Sequence, residues 1–305
     1  MPRPHDRDRR RGVGPDRHAV PSAPHEHIQP RRHRARKRFG QHFLEAAWAA
    51  KLVAAVAVKP GQSFLEIGPG TGALTRPLLA DGATLRAIEV DRDLAAALRE
   101  TAPPALTVVE GDILDVGDAD VLPPGDAPVR IVGNLPYNLS SPILLRILAL
   151  ARATGRVTDA IVMLQREVAD RVLAEPGGGD YGPLAVVLGL YADRTRLLAL
   201  PPGAFRPPPE VHSAVVRLAF RAPIVPIARF EAVDRLVRVA FQQRRKTLAN
   251  ALRALAPGVE DLPARLQALG VDPTRRPETL TPAEFVRLAD NLPLAGGAAD
   301  APLPD

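Results

Sequence analysis

Short, almost wholly apolar runs alternate with longer amphipathic stretches from residue 40 onward. The runs fall at 63–67, 85–90, 106–111, 129–133 and 160–165, and helix-like stretches at 45–58, 73–81, 93–100, 141–151 and 166–174 lie among them. A run without polar alternation is buried on both faces, so the pattern predicts a parallel sheet covered by helices on each side, a doubly wound α/β domain. Two later runs, 195–200 and 213–220, have no long helix between them, which predicts an antiparallel pair at one end of that sheet. Past residue 223 only helical patterns follow, at 229–255, 260–269 and 281–290, the last opened by the capping sequence "TPAE". The predicted organisation is an unordered basic tail over 1–35, a cofactor-binding α/β domain over 36–222, a small all-helical domain over 223–295 and an unordered tail over 296–305.

The formal charge of +6 suggests an anionic partner, but its distribution changes the picture. Residues 1–38 hold twelve Arg or Lys and four Asp or Glu, a charge of +8; the remainder holds 28 basic and 30 acidic residues, a charge of −2. The folded part therefore needs local basic patches to hold an anion. The first 34 residues have too few apolar groups to offset the entropy of ordering them. Five of the seven histidines lie there without a repeated ligand spacing, and the chain has no cysteine, so no metal is expected. The longest small-apolar run, 46–58, is broken by Lys51 and is too short to span a bilayer; with no apolar leader at the start, a cytoplasmic protein without membrane contact is expected.

The chemistry gathers at the ends of the predicted strands. "LEIGPGTGALT" places Gly68, Gly70 and Gly72 directly after the first strand, where a sharp turn brings backbone against a ligand. The next strand ends in Glu89, placed to accept bonds from ribose hydroxyls, and the third in Asp112, placed to accept from an exocyclic adenine amine. No phosphate loop of the G-x-x-x-x-G-K-[ST] type follows the first strand, so a nucleoside with little phosphate, S-adenosylmethionine, fits this crevice better than NAD, whose fingerprint has a different glycine spacing.

The fourth strand delivers "GNLPYNLSSP", with Asn134, Leu135, Pro136 and Tyr137 in one tight turn. The lone pair of an exocyclic adenine amine is delocalised into the ring. An Asn side-chain oxygen and a backbone carbonyl held by the following Pro can accept the two amine hydrogens and restore the nucleophile, while Tyr137 stacks on the base. Such stacking contributes about 1–3 kcal/mol per base. Catalysis would then rest on positioning more than on a titrating base.

In order along the chain, "KRFGQHFL" (37–44), "EIGPGTGALT" (66–75), "IEVD" (88–91), "GD" (111–112), "NLPYNLSSP" (134–142), "MLQREVADRV" (163–172), "FRPPPEVHSAVVRL" (205–218) and "FQQRRKTLANAL" (241–252) resemble the ribosomal RNA adenine N6-dimethyltransferases. The resemblance spans 36 to about 290 and implies a Rossmann-like class I methyltransferase sheet. It also implies that His42 and Leu44 close over the cofactor, that Gly68, Gly70, Glu89, Asp112 and Asn134 hold it, and that Phe205 and Tyr137 sandwich an extruded adenine. The block at 241–252 is similar to the small-subunit branch, which implies dimethylation of two adjacent adenines near the 3′ end of 16S rRNA, by a monomer acting on an immature 30S subunit. Gln242 departs conservatively from the Asn or Ser of that branch. The alternatives are a large-subunit (23S) adenine methyltransferase conferring macrolide resistance and a noncatalytic nucleic-acid-binding factor of the same fold.

Within the long C-terminal helix, Arg235, Arg238, Gln242 and Arg245 recur at three- and four-residue steps, opposite an apolar face of Val237, Phe241, Leu248 and Leu252. With Arg244 and Lys246 they form a candidate phosphate-contacting stripe.

Overall fold

The computed structural model describes residues 42–295; the expected tails over 1–35 and 296–305 lie outside the described residues. The chain begins with a short strand β1 (Phe43–Leu44) and helix α1 (Ala46–Val56), then alternates β2 (Ser63–Ile67), α2 (Thr75–Ala80), β3 (Thr84–Glu89), α3 (Arg92–Glu100), β4 (Leu106–Glu110), the single turn α4 (Asp118–Val121) and β5 (Val129–Asn134). It continues with α5 (Ser140–Thr154), β6 (Val157–Gln165), α6 (Arg166–Leu173), α7 (Pro183–Tyr191), β7 (Ala192–Leu200), the two-residue β8 (Phe205–Arg206) and β9 (Ser213–Phe220). Four helices follow: α8 (Phe230–Gln242), α9 (Leu248–Leu252), α10 (Leu262–Ala268) and α11 (Pro282–Asn291).

Among the described residues the main sheet has seven strands in the order β4-β3-β2-β5-β6-β9-β7. Its first five are parallel, and β9 pairs antiparallel with both β6 and β7, as the missing crossover helix predicts. Alternate residues feed separate cores. Phe64, Val132, Ile161, Met163 and Val215 pack with α1 and α2 on one face, whereas Leu65, Ile131, Val162, Leu164 and Val216 pack with α5 and α7 on the other. Most residues of the central strands β2, β5 and β6 are thus claimed by one core or the other, which is why these runs lack the polar alternation of half-exposed strands. The helices α2 and α5, which follow neighbouring strands β2 and β5, lie on opposite faces, and a crevice opens at the carboxyl edge between them.

Two elements depart from the sequence expectation. Helix α7 is absent from it because "PLAVVLGLY" is apolar throughout and rich in valine, with no 3.6-residue stripe to read. It is a helix because it is buried all round: Leu184, Val187 and Leu188 enter the sheet core, while Ala185, Val186 and Leu190 join Tyr181 in the core of α8–α11. The expected continuous helix 229–255 is corrected to two helices, α8 and α9, joined by a turn through residues 243–247. The polar run "QQRRKT" offers no apolar residue to continue the buried stripe. The start of α9 is instead held from outside, with the N–H groups of Leu248 and Ala249 donating to the carbonyls of Arg275 and Pro273 at 2.7 and 3.2 Å. Arg245 therefore leaves the helical face that its spacing predicted.

One glycine sets how close the two central strands come. A Cβ on Gly133 would stand 2.6 Å from the Ile67 carbonyl oxygen, in backbone that cannot rotate away. Replacement of Gly133 by Ala is expected to lower unfolding stability by about 1–3 kcal/mol, measured by urea denaturation; an unchanged midpoint would show that β2 and β5 separate freely.

Candidate active site

The crevice at the carboxyl edge is walled by the loop 68–74 after β2, the ends of β3 and β5, and the first described residues, His42 to Leu44. Gly68, Gly70 and Gly72 all have positive φ, at 67°, 58° and 83°, so the glycine-rich loop takes a path that other residues resist. A Cβ on Gly70 would press on the Phe43 ring at 3.2 Å, which makes this glycine the contact between loop and rim.

Glu89 organises the floor. Its Oε2 accepts the Gly70 N–H and its Oε1 the Asp91 N–H, each at 2.9 Å, so the carboxylate fixes the loop while retaining lone pairs for further donors. Burial raises its pKa against the opposing effect of these two bonds. Beside it lies a second buried carboxyl, Glu66, which the sequence reading did not single out. Glu66 is 1% exposed, accepts the Thr75 hydroxyl at 2.7 Å and lines the crevice. Loss of hydration pushes its pKa up to about 7, the Thr75 bond opposes the rise, and the charge of Glu89 adds to it. An acid between the apolar Leu65 and Ile67 of the strand "SFLEI" was the available signal. Val90, 44% exposed between two acids, adds apolar surface to the same wall. Asp112 stands at the neighbouring strand end, but it is not among the crevice-lining residues, and its Oδ1 accepts the Leu114 N–H at 2.9 Å.

At the β5 turn the Asn134 amide donates from Nδ2 to the His42 carbonyl at 2.7 Å. Because a carbonyl only accepts, this bond fixes the orientation of the amide and reserves Oδ1 as its acceptor. The Leu135 N–H donates to Met163 O at 3.3 Å, and the Pro136 carbonyl accepts from Leu139 N–H and the Ser140 hydroxyl, both at 3.0 Å. Tyr137 is held by a 2.7 Å bond between its hydroxyl and that of Ser213 at the start of β9, a partner without a sequence signal. Its ring faces His42, with centroids 5.5 Å apart and planes at 23°, and His42 Nδ1 lies 2.8 Å from the Pro207 carbonyl.

Phe205 stands elsewhere than expected. It is 1% exposed, pairs with Leu44 through the β1–β8 ladder, and packs in the core with α1, so the ring opposite Tyr137 in this structure is that of His42. Leu44 lines the crevice, mostly buried beneath it. The basic candidates lie apart from the crevice: Arg235 and Arg238 are half-buried on α8, Arg238 paired with Asp234, and Arg244, Arg245 and Lys246 are exposed on the turn after it. Arg244 Nη2 donates to the Gly179 carbonyl at 2.9 Å. Among the described residues no group of three or more His, Cys, Asp or Glu could hold a metal ion, and no helix is long and apolar enough to cross a membrane.

A crevice at the switch point of a doubly wound sheet, with a glycine loop, a buried acid at the second strand end and an antiparallel terminal pair, defines a class I methyltransferase. Its lining suits S-adenosylmethionine, the cofactor of this class: a buried acid, Glu89, with lone pairs left for a ribose, and an apolar wall beside it for the purine. The chain belongs to the ribosomal RNA adenine dimethylase family, whose profile matches residues 32–293. It is 47% identical over 264 residues to ribosomal RNA small subunit methyltransferase A of Laribacter hongkongensis, covering 85% of this chain and 96% of that protein. To the protein of that name in Xanthomonas campestris it is 48% identical over 265 residues, covering 86% and 97%. Among solved structures, a dimethyladenosine transferase from Plasmodium falciparum aligns with TM-score 0.68 at 25% identity, over 81% of this chain and 96% of that one. The 23S rRNA methyltransferase ErmE aligns with TM-score 0.58 at 27% identity, over 82% and 99%.

The raised pKa of Glu66 has a defined sign. A carboxyl whose folded pKa exceeds its unfolded value favours the fold below about pH 4.5, and that contribution disappears as pH rises to about 7. The displacement corresponds to about 3 kcal/mol. Glu66→Gln is therefore expected to match the parent in stability near pH 4.5 and to exceed it increasingly up to pH 7.5, measured by denaturation without cofactor. A difference independent of pH would refute the buried, protonatable state.

Proposed function

We propose that this protein dimethylates the N6 amines of two adjacent adenines near the 3′ end of 16S rRNA in the maturing small subunit, in the cytoplasm, using S-adenosylmethionine. The observation that carries the reading is the Asn134 amide, fixed by its bond to His42 O so that Oδ1 remains an acceptor at the crevice. The small-subunit assignment is supported by 47–48% identity to the two small-subunit enzymes, against 27% to ErmE.

The bound cofactor supplies an activated methyl group. The chain's own residues supply position. Glu89, itself immobilised by two backbone N–H groups, presents remaining lone pairs to the ribose, with Val90 beside it as an apolar face for a purine. Asn134 Oδ1 and the Leu135 carbonyl accept the two hydrogens of the target amine and draw its lone pair out of conjugation with the ring. Tyr137, held by Ser213, offers its face to the base. The Tyr137 pKa is raised by burial, so its hydroxyl stays neutral and serves as a fixed anchor. Orientation of the nucleophile and exclusion of water lower the barrier, with no side chain required to take a proton in the transition state.

His42 occupies the space opposite Tyr137, so an incoming adenine displaces the His42 ring and releases its bond to the Pro207 carbonyl, two residues past Phe205. That release is the route by which Phe205 would come to face the base.

Asn134→Ala is expected to reduce methyl transfer at least about 100-fold while leaving the thermal unfolding profile in place; incorporation of labelled methyl into 30S RNA is the measurement, and retained activity would remove the assigned role. Arg245→Glu with Lys246→Glu, both exposed and outside the crevice, should weaken RNA binding about 10-fold or more and steepen no other defect. Equal loss of cofactor binding, read by calorimetry, would point away from a phosphate contact.

A further inference from the structure

A second cavity, of about 410 Å3, lies outside the catalytic crevice, between α6, the glycine-rich loop 175–182, the start of α7 and the end of α8. Its wall is built rather than incidental. The loop "EPGGGDYG" is fastened to the helical part by three bonds: Gly177 N–H to Glu278 O at 2.7 Å, the Tyr181 hydroxyl to Leu280 O at 2.9 Å, and Arg244 Nη2 to Gly179 O at 2.9 Å. A loop with three glycines in a row would otherwise pay a large ordering entropy, so these bonds hold open a defined space.

The lining has two chemistries. Arg171, Arg244 and Arg238, the last paired with Asp234, bring three guanidinium groups to the cavity, while Pro183 and the edges of the mostly buried Leu184 and Phe241 give it apolar surface. Glu167 and Asp180 also line it and reduce the net positive charge to a single unit. Arg171 is paired with Glu167 at 2.5 Å, but the two are 43% and 72% exposed, so the pair is weak and occupies few of the five guanidinium donors. A ligand with one anionic group and one flat ring matches this lining, and a 5′-nucleotide has both. The volume is within the range of small-ligand sites.

Connectivity identifies the source. Ser141 lines this cavity, and the adjacent Ser140 hydroxyl donates to the Pro136 carbonyl of the catalytic turn, so the first turn of α5 is shared by both sites. We propose that this cavity is a subsite for one nucleotide of the RNA substrate other than the target adenine, its phosphate on Arg171 and Arg244 and its base against Pro183 and the exposed edge of Phe241. The inference rests on the reading of the protein as an enzyme acting on ribosomal RNA, and it adds a contact that the exposed 244–246 turn alone does not make. It assigns Arg171 as a substrate-positioning residue.

The test compares Arg171→Gln with Glu167→Gln, which breaks the same ion pair while leaving the guanidinium in place. Affinity for small-subunit RNA is measured with S-adenosylhomocysteine saturating the cofactor crevice, together with binding of adenosine 5′-monophosphate. Arg171→Gln is expected to weaken RNA about 10-fold and to abolish monophosphate binding, whereas Glu167→Gln leaves both unchanged or tighter, with cofactor affinity equal in all three proteins. An RNA carrying a photoreactive base is expected to crosslink to residues 179–185. Equal behaviour of the two variants overturns the proposal, as does monophosphate binding without any change in RNA affinity, which would assign the cavity to a free nucleotide. If the variants differ as expected but the wild-type protein transfers no methyl group, the proposed reaction is overturned and the subsite stands.

Discussion

The divergence of the chain on either side of β2 is the constraint from which the site follows. β2 has β3 on one side and β5 on the other, and the helices after β2 and β5 lie on opposite faces of the sheet. No helix can cover the carboxyl edge where the two paths part, so a crevice remains there. Gly133 keeps the edges of β2 and β5 close enough that Asn134 emerges beside the glycine loop. Without that separation, neither the loop nor the Asn-Leu-Pro-Tyr turn would share a cavity.

The crevice is held by polar groups that lose solvation in forming it. Glu89 bonds two backbone N–H groups and Glu66 bonds Thr75, and both carboxyls lie on the face that packs against α1 and α2. Burial disfavours the charge of both acids, and the Glu89 charge disfavours that of Glu66 further. Hydrogen-bond donors brought by a cofactor would offset that cost. The same geometry that makes the unliganded floor unfavourable therefore favours a ligand rich in donors, and the energetic strain in the fold is part of its affinity.

The helical part is joined to the sheet by a shared core rather than by a linker. α7 contributes to both, and Tyr181 and Arg244 bind the intervening loop to the helices. Basic groups on α8 and its following turn are thus held at fixed positions relative to the turn after β5. A flexible tether would leave their distance from that turn undefined.

The sequence by itself determined the parallel strands, the terminal antiparallel pair and the residues at each strand end, because apolar runs, missing crossovers and Gly-Asn-Pro turns are local signals that survive without tertiary context. The family resemblance was equally legible, since its motifs are contiguous. Tertiary structure alone decided that α7 is a helix, because an apolar segment has no face until neighbours surround it. It decided that the basic helix breaks after Gln242, because the carbonyls of Pro273 and Arg275 capture the next turn. It also set His42 rather than Phe205 across from Tyr137 and placed Glu66 beside Glu89, since ring partners and buried charge pairs arise between segments far apart in the chain, where no periodicity reaches.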